Sequence, residues 1–289
     1  MLKKSSVIII FACLLALSTA AYAGYPMKVK DARGKVITLK TKPMRIVSIA
    51  PSNTEILYAL GLNRRVVGVT KYCDYPPEAA SKPKVGDMNI SAESVLALRP
   101  DLVIAHSYIN AGVITRLEKL GLKVFAVDPK TIDQVMRDIR TIGRITGRPK
   151  TAESIVLKMK RKIAAVKSSR LKQKSERVLV VIQANPLWAA GPKTFVDEMI
   201  GLAHATNIAH DARPGFVTFS KELAVSRNPD VIITGQKQDA HYFLTDPAWK
   251  QTSAAKHGRV FVIDNDLLVR PGPRLAYGLV KLNQALNRK

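Results

Sequence analysis

The sequence predicts an α/β fold with two α/β lobes joined by one long helix. Three observations predict it. Short apolar strand runs alternate with helical runs from residue 45 to 148, and the alternation restarts at residue 176. Between the two stretches, residues 149–174 keep apolar residues at helical spacing and contain no strand run. The halves also echo each other in "SAESVLALRPDLVIA" and "FSKELAVSRNPDVIIT", where Ser and Glu precede a short helix, then Pro-Asp, then an apolar strand. The alternation implies mostly parallel sheets covered by helices. The echo favours two lobes over one continuous sheet. The expected limits are a leader over 1–23, an N-terminal lobe over 24–148, a connecting helix over 149–174 and a C-terminal lobe over 175–289.

Taken in order, "MKVKDARGKVITLK" alternates apolar and polar residues around Arg33-Gly34 and reads as a hairpin. "RIVSIA" is a strand. "SNTEILYALGL" is a helix whose Ser52 and Glu55 have capping-box spacing. "RVVGVT", "DLVIAH" and "KVFAVD" are strands, separated by the helical runs "ISAESVLALRP" and "AGVITRLEKLG" and followed by "TIDQVMRDIRTIGRITG". In 149–174, Ala152, Ile155, Val156, Met159, Ile163 and Val166 form one stripe behind Pro149, a good first helical residue. About 25 residues at 1.5 Å each make a rod on the order of 37 Å, long enough to cross between lobes. The pattern alone fits an ordinary surface helix with a charged outer face equally well. The second half supplies the strands "ERVLVVIQ", "DVIITG" and "RVFVID" and the helices "TFVDEMIGLA", "SKELAVSRNP" and "GPRLAYGLVKLNQALNR".

The chain starts with Lys3 and Lys4, an apolar run from Val7 to Leu17, and Ala21-Tyr22-Ala23 before Gly24. This is the layout of a secretory leader cut near Ala23-Gly24, so a periplasmic location with no retained span is expected. The apolar run is shorter than the roughly 20 residues a helical span needs. Cys13 reads as part of that run, which leaves Cys73 as the one cysteine of the mature chain. Losing Lys3 and Lys4 lowers the formal charge from +24 to +22. The cations are spread over helices, without interleaved aromatics or a nucleic-acid motif. The charge therefore points to anionic envelope surfaces or an anionic ligand rather than to a nucleic acid.

Signatures of catalysis are absent: no G-x-S-x-G, dinucleotide loop, Walker loop, H-E-x-x-H or C-x-x-C occurs. His106, His204, His210, His241 and His257 form no metal-ligand pair, and Cys73 has no recognisable base, so it reads as a packed loop thiol. No enzyme, cofactor or metal is expected. Parallel sheets bind ligands at the carboxyl ends of their strands. "APSN", "KYCDYPP", "HSYIN", "QANPLWAAGPKTF" and "DNDLLVRPGPR" fall there, bringing Tyr72, Tyr75, Tyr108, Trp188, Asp266 and Arg270 to one edge. The helix start at Ser52-Asn53 adds free N–H groups. An aromatic cleft with a few polar anchors suits a flat or bulky ligand.

Across the mature chain, "RIVSIAPSNTEILYALGLNRRVVGVTKYCDYPPEAASKPKVGD", "ESVLALRPDLVIA", "GPKTFVDEMIGLAHATNIA", "NPDVIIT" and "RPGPR" resemble the periplasmic substrate-binding proteins of ABC importers for cobalamin, haem and ferric siderophores. The "YCDYPP" form is most similar to the cobalamin branch. The resemblance implies the class III periplasmic binding protein fold, with two Rossmann-like lobes on one backbone helix. It also implies a monomer that holds cobalamin or a related corrinoid between the lobes and delivers it to the importer's transmembrane subunits. Carried over by position, Tyr72, Asp74, Tyr75 and His106 line the N-lobe wall, Trp188 and Phe216 the C-lobe wall, and Asp266 and Arg270 contact side amides of the ligand. Glu55 and Glu222 match the two acids that dock on the membrane subunits. The chain departs from the cobalamin pattern at Met88 and His106, where members often carry tryptophan, and at His204-Ala205-Thr206, where small glycines are usual. Haem, with Tyr72, Tyr75, Tyr108 or His106 as a ligand to iron, and a ferric siderophore are the alternatives.

Overall fold

A computed structural model describes residues 24–169 and 175–288. The expected leader and residues 170–174 of the expected connecting helix lie outside the described residues.

The N-terminal half opens with a hairpin, β1 (Met27–Lys30) against β2 (Val36–Leu39), paired antiparallel. Ala32 N–H donates to Ala126 O at 2.9 Å and so docks the hairpin on the sheet that follows. That sheet comprises β3 (Ile46–Ser48), β4 (Val66–Val69), β5 (Leu102–His106) and β6 (Val124–Val127). Its order is β4-β3-β5-β6 and all its pairs are parallel. Helices α1 (Pro51–Ala59), α2 (Ala92–Ala97), α3 (Ala111–Lys119) and α4 (Ile132–Ile145) connect and follow these strands. The strand order reverses between β3 and β5, which places a crevice beyond their carboxyl ends. The capping box expected at Ser52 and Glu55 is not formed. Helix α1 starts at Pro51 behind Ala50, whose methyl group cannot cap it; Ser52 falls inside the first turn, and the Glu55 carboxylate binds two arginines instead. A capping box does form on α4, between Thr131 and Gln134.

Helix α5 (Pro149–Ser169) runs from one half to the other, as its apolar stripe allowed. Its first turns cross α4 so closely that a Cβ on Gly143 would lie 2.4 Å from that of Ala152. Its last turn reaches the final helix, where Ser169 Oγ donates to Asn283 at 3.2 Å. Ala152, Val156, Met159 and Val166 of α5 belong to one apolar core that also holds Ile46, Leu57 and Ile139 from the first half and Val178, Leu279 and Leu282 from the second. The halves are further tied where Glu198 accepts the Ile132 N–H at 2.8 Å.

The C-terminal half contains β7 (Arg177–Gln183), β8 (Trp188–Ala190), α6 (Phe195–Leu202), β9 (Thr206–Asn207), β10 (Phe216–Thr218), α7 (Lys221–Ser226) and β11 (Val231–Thr234). It ends with α8 (Lys237–Thr245), α9 (Ser253–Lys256), β12 (Val260–Val262), α10 (Asn265–Val269) and α11 (Leu275–Asn287). The sheet order is β10-β8-β7-β11-β12, with β9 also paired to β7. Strands β7, β11 and β12 are parallel, whereas β8 and β10 run antiparallel at the edge. Strand β8 and helix α10 lie in stretches that the sequence presented as loops.

The internal echo extends to individual hydrogen bonds. Ser91 caps α2 by accepting from Ser94 N–H, and Ser220 caps α7 by accepting from Leu223 N–H. Each helix is followed by a left-handed residue, Arg99 at φ 45° and Asn228 at φ 48°, and then by Pro-Asp. Asp101 accepts the Arg45 N–H ahead of β3, and Asp230 accepts the Arg177 N–H at the start of β7. The two halves are thus built on one repeated α-turn-strand unit.

Candidate functional site

The loops beyond the strand ends bear exposed aromatics on both halves. In the first half Tyr72 follows β4, and His106 ends β5 with Tyr108 and Ile109 just beyond it. Tyr108 is 80% exposed and Tyr72 51%. Met88 and Ile109 share a groove of about 290 Å³. Exposed apolar surface gathered at one address makes this edge a candidate binding face. In the second half the register of β8 and β10 decides where the aromatics point. Thr218 lies opposite Trp188 and Phe216 opposite Ala190, so Trp188 and Phe216 stand on the same face of the pair. Both are exposed, at 41% and 37%, and together they form an aromatic ledge.

His106 is partly buried. Its Nε2 lies 3.7 Å from Asp128 Oδ1, and its Nδ1 accepts the Ile109 N–H at 3.5 Å. Burial pushes its pKa below the ordinary histidine value; Asp128 pulls it up and Lys130 pushes it further down. The imidazole is therefore neutral at pH 7.

The polar residues converge on one rim. Arg270 Nη1 donates to Asp74 Oδ1 at 2.6 Å and to Glu55 Oε1 at 3.4 Å. Its Nε lies 2.8 Å from Asp266 Oδ1, one helical turn back on α10. The Arg270 hydrogen bond holds the Asp74 carboxyl below its ordinary range. Burial raises that of Asp266, with Arg270 opposing. Arg274, unassigned from sequence, grips Glu55 with two prongs, Nε to Oε2 at 2.9 Å and Nη2 to Oε1 at 2.6 Å. Its guanidinium carbon also lies 3.7 Å from the centre of the Tyr75 ring, a cation–π stack. A cavity of about 540 Å³ opens beside this joint, lined by Tyr58, Tyr75, Glu78, Pro273 and Arg274 among others. The Tyr58 hydroxyl is buried and has no partner among the described residues.

Of the residues singled out by sequence, the structure brings Asp74, Asp266, Arg270 and Glu55 into one ionic network. It sets Trp188 beside Phe216 and turns Tyr75 against Arg274. Tyr72 and His106 lie on the same strand-end edge but outside that network. Glu55 departs from its expected surroundings. Its side chain is only 2% exposed and is enclosed by arginines, whereas a docking acid must face outward. Glu222 does face outward in the first turn of α7, where Ser220 Oγ donates to it at 2.7 Å. By the internal repeat its counterpart is Glu93 in the first turn of α2, which accepts from Ser91 Oγ at 3.2 Å and is 66% exposed. The echo quoted from the sequence contained that pairing. Cys73 is buried, within hydrogen-bond reach of Thr54 and Thr70. Among the described residues, no cluster of His, Cys, Asp and Glu fits a metal, and no helix is long and apolar enough to cross a membrane.

Comparison with known proteins agrees with this architecture. The chain is 37% identical, over 91% of its length and 86% of the relative's, to an uncharacterized ABC transporter substrate-binding lipoprotein of Bacillus subtilis. It is 30% identical to a cobalamin-binding protein of Halobacterium salinarum, over 91% of this chain and 74% of that one. Among solved structures, a periplasmic haem-binding protein from Roseiflexus superposes with a TM-score of 0.75 at 30% identity, covering 83% of this chain and 97% of that one. The model of the family described as "Periplasmic binding protein" matches residues 46–267. The chain, with its repeated halves and its crossing helix, belongs to the periplasmic binding protein family.

Proposed function

We propose that this chain is the periplasmic receptor of an ABC importer, capturing cobalamin or a related corrinoid between its halves and delivering it to the membrane subunits. The observation that carries the reading is the shared face of Trp188 and Phe216, a flat aromatic ledge on one half, with exposed Tyr72 and Tyr108 on the other. Two aromatic walls grip a flat macrocycle by stacking and dispersion. Asp74, Asp266 and Arg270 supply polar contacts at one rim for amide groups. The similarity to a cobalamin-binding relative supports this choice. No bond is made or broken in capture, and the stiff common core limits the ordering cost of binding.

Two outward acids, Glu93 and Glu222, stand at equivalent places on the two halves and suit a pseudo-symmetric pair of cationic contacts on two membrane subunits. They replace Glu55 and Glu222 as the docking pair.

Haem is the second reading. The neutral, partly buried His106 and the exposed phenols of Tyr72 and Tyr108 favour it, because both groups bind ferric iron. Similarity to a haem-binding structure supports it as well. Absorption spectra of the mature chain with cyanocobalamin and with hemin separate the two. Retention of cyanocobalamin through gel filtration is expected, and a Soret shift with hemin but no cobalamin retention favours haem.

A further inference from the structure

Two arginines of the second half reach two carboxylates of the first, in unlike surroundings. Arg274 meets Glu55 in an enclosed place, with side-chain exposures of 18% and 2%. Arg270, itself 15% exposed and also 3.4 Å from Glu55 Oε1, meets Asp74 at the rim, where the carboxylate is 61% exposed. The two pairs therefore differ in the exposure of the acid, not of the arginine. Both arginines flank the Pro271-Gly272-Pro273 stretch that leads into α11, so the stem carrying them is stiff. Helix α11 is anchored behind it. A Cβ on Gly278 would lie 2.1 Å from Leu267 O, so α10 and α11 are in backbone contact and move together.

Burial decides what each contact does. An exposed ion pair is weak and is screened by salt, whereas a buried two-pronged pair is screened little and leaves an uncompensated charge when it breaks. Arg274 also carries the Tyr75 ring at 3.7 Å, so its position sets that aromatic as well. We propose that Arg274 is a positioning residue, a fixed pin on Glu55 that sets the spacing of the halves and the angle of the Tyr75 ring, and that Arg270–Asp74 is the contact that releases. Arg270 then turns from Asp74 to an incoming ligand while the pin holds the cleft at working width. The consequence for capture rests on the function proposed above; the joint itself belongs to the ligand-free chain.

Spin labels on Asn89→Cys and Gln238→Cys, both exposed, in a Cys73→Ser background report the spacing of the halves. The ligand-free chain should give one narrow distance at low salt that broadens at about 1 M salt as Arg270–Asp74 is screened. Asp74→Asn should be broad already at low salt and insensitive to more. Arg274→Met should lengthen the mean distance by more than about 2 Å at both salt levels. Arg274→Lys should fall between, because an ammonium cannot fork onto a carboxylate. If Arg274→Met unfolds, Glu55→Gln carries the same expectation. An unchanged distance in Arg274→Met or Glu55→Gln, or an equal change in Asp74→Asn, overturns the assignment. In stopped-flow mixing with cyanocobalamin and with hemin, Arg274→Met should slow association at least about tenfold. Failure of the unsubstituted chain to bind either probe contradicts the proposed function and leaves the distance result standing.

Discussion

The Glu55 carboxylate accepts two hydrogen bonds from the Arg274 guanidinium, at 2.6 and 2.9 Å, across 219 residues of sequence. It joins the first helix of one half to the last helix of the other. Removing Arg274 leaves the buried Glu55 carboxylate with only the long Arg270 contact at 3.4 Å, and removing Glu55 leaves Arg274 without its carboxylate. Glu55→Gln and Arg274→Met should therefore each lose on the order of 3 kcal/mol of stability. Urea unfolding followed by circular dichroism measures this. A loss below about 1 kcal/mol, the size of an exposed pair, contradicts the burial argument.

The aromatic ledge makes a separate prediction. Trp188→Ala and Phe216→Ala remove exposed side chains, so melting should shift little while ligand affinity falls about 10- to 100-fold for each. Isothermal calorimetry gives the affinity of each variant, because Trp188→Ala removes one of the chain's two tryptophans and with it the fluorescence reporter. Affinity unchanged in both variants would remove the ledge from the site.

Much of this was legible in the sequence because local patterns carried it. The parallel strands, the long amphipathic α5 and the repeated Ser-cap, Pro-Asp unit are all written in short windows. What the sequence hid was set by contacts far apart in the chain. Glu55 has capping-box spacing from Ser52, yet the helix starts one residue earlier at Pro51, and Glu55 is bound by Arg270 and Arg274 from the far end of the chain. Trp188 sits in a stretch rich in turn residues, and only pairing with β7 and β10 makes it a strand residue. The second arginine of "RPGPR" was visible, but its partner lies at the opposite end of the chain. The acid proposed here for docking on the first half was visible too, in the echo that aligns Glu93 with Glu222.

Asp138 on α4 gives the fold a pH dependence. Burial raises its carboxyl to about 7, with Arg137 opposing and Asp128 adding to the rise. An unfolded aspartate titrates near about 3.9. Between those values the folded chain holds a proton that the unfolded chain has lost. Asp138 therefore lowers stability as pH rises from about 4 to about 7. Asp138→Asn should gain up to about 4 kcal/mol at pH 8 and nothing at pH 4. Melting curves of both proteins at the two pH values test this, and a gain independent of pH contradicts it.

Docking is tested by charge reversal. Glu93→Lys with Glu222→Lys should abolish ligand uptake in cells while leaving binding by the purified chain intact, because both acids are exposed and sit in the first turns of α2 and α7 rather than on the ledge strands β8 and β10. Full uptake by the double variant contradicts the docking assignment.

The central claim is capture of a flat macrocycle between aromatic walls. Titration of the mature chain with cyanocobalamin, read by Trp188 fluorescence and calorimetry together, tests it most directly. The account predicts saturable heat and quenching at one ligand per chain, with the affinity read by calorimetry weakened in Trp188→Ala. Neither heat nor quenching with cyanocobalamin, or with hemin in the same experiment, would contradict it.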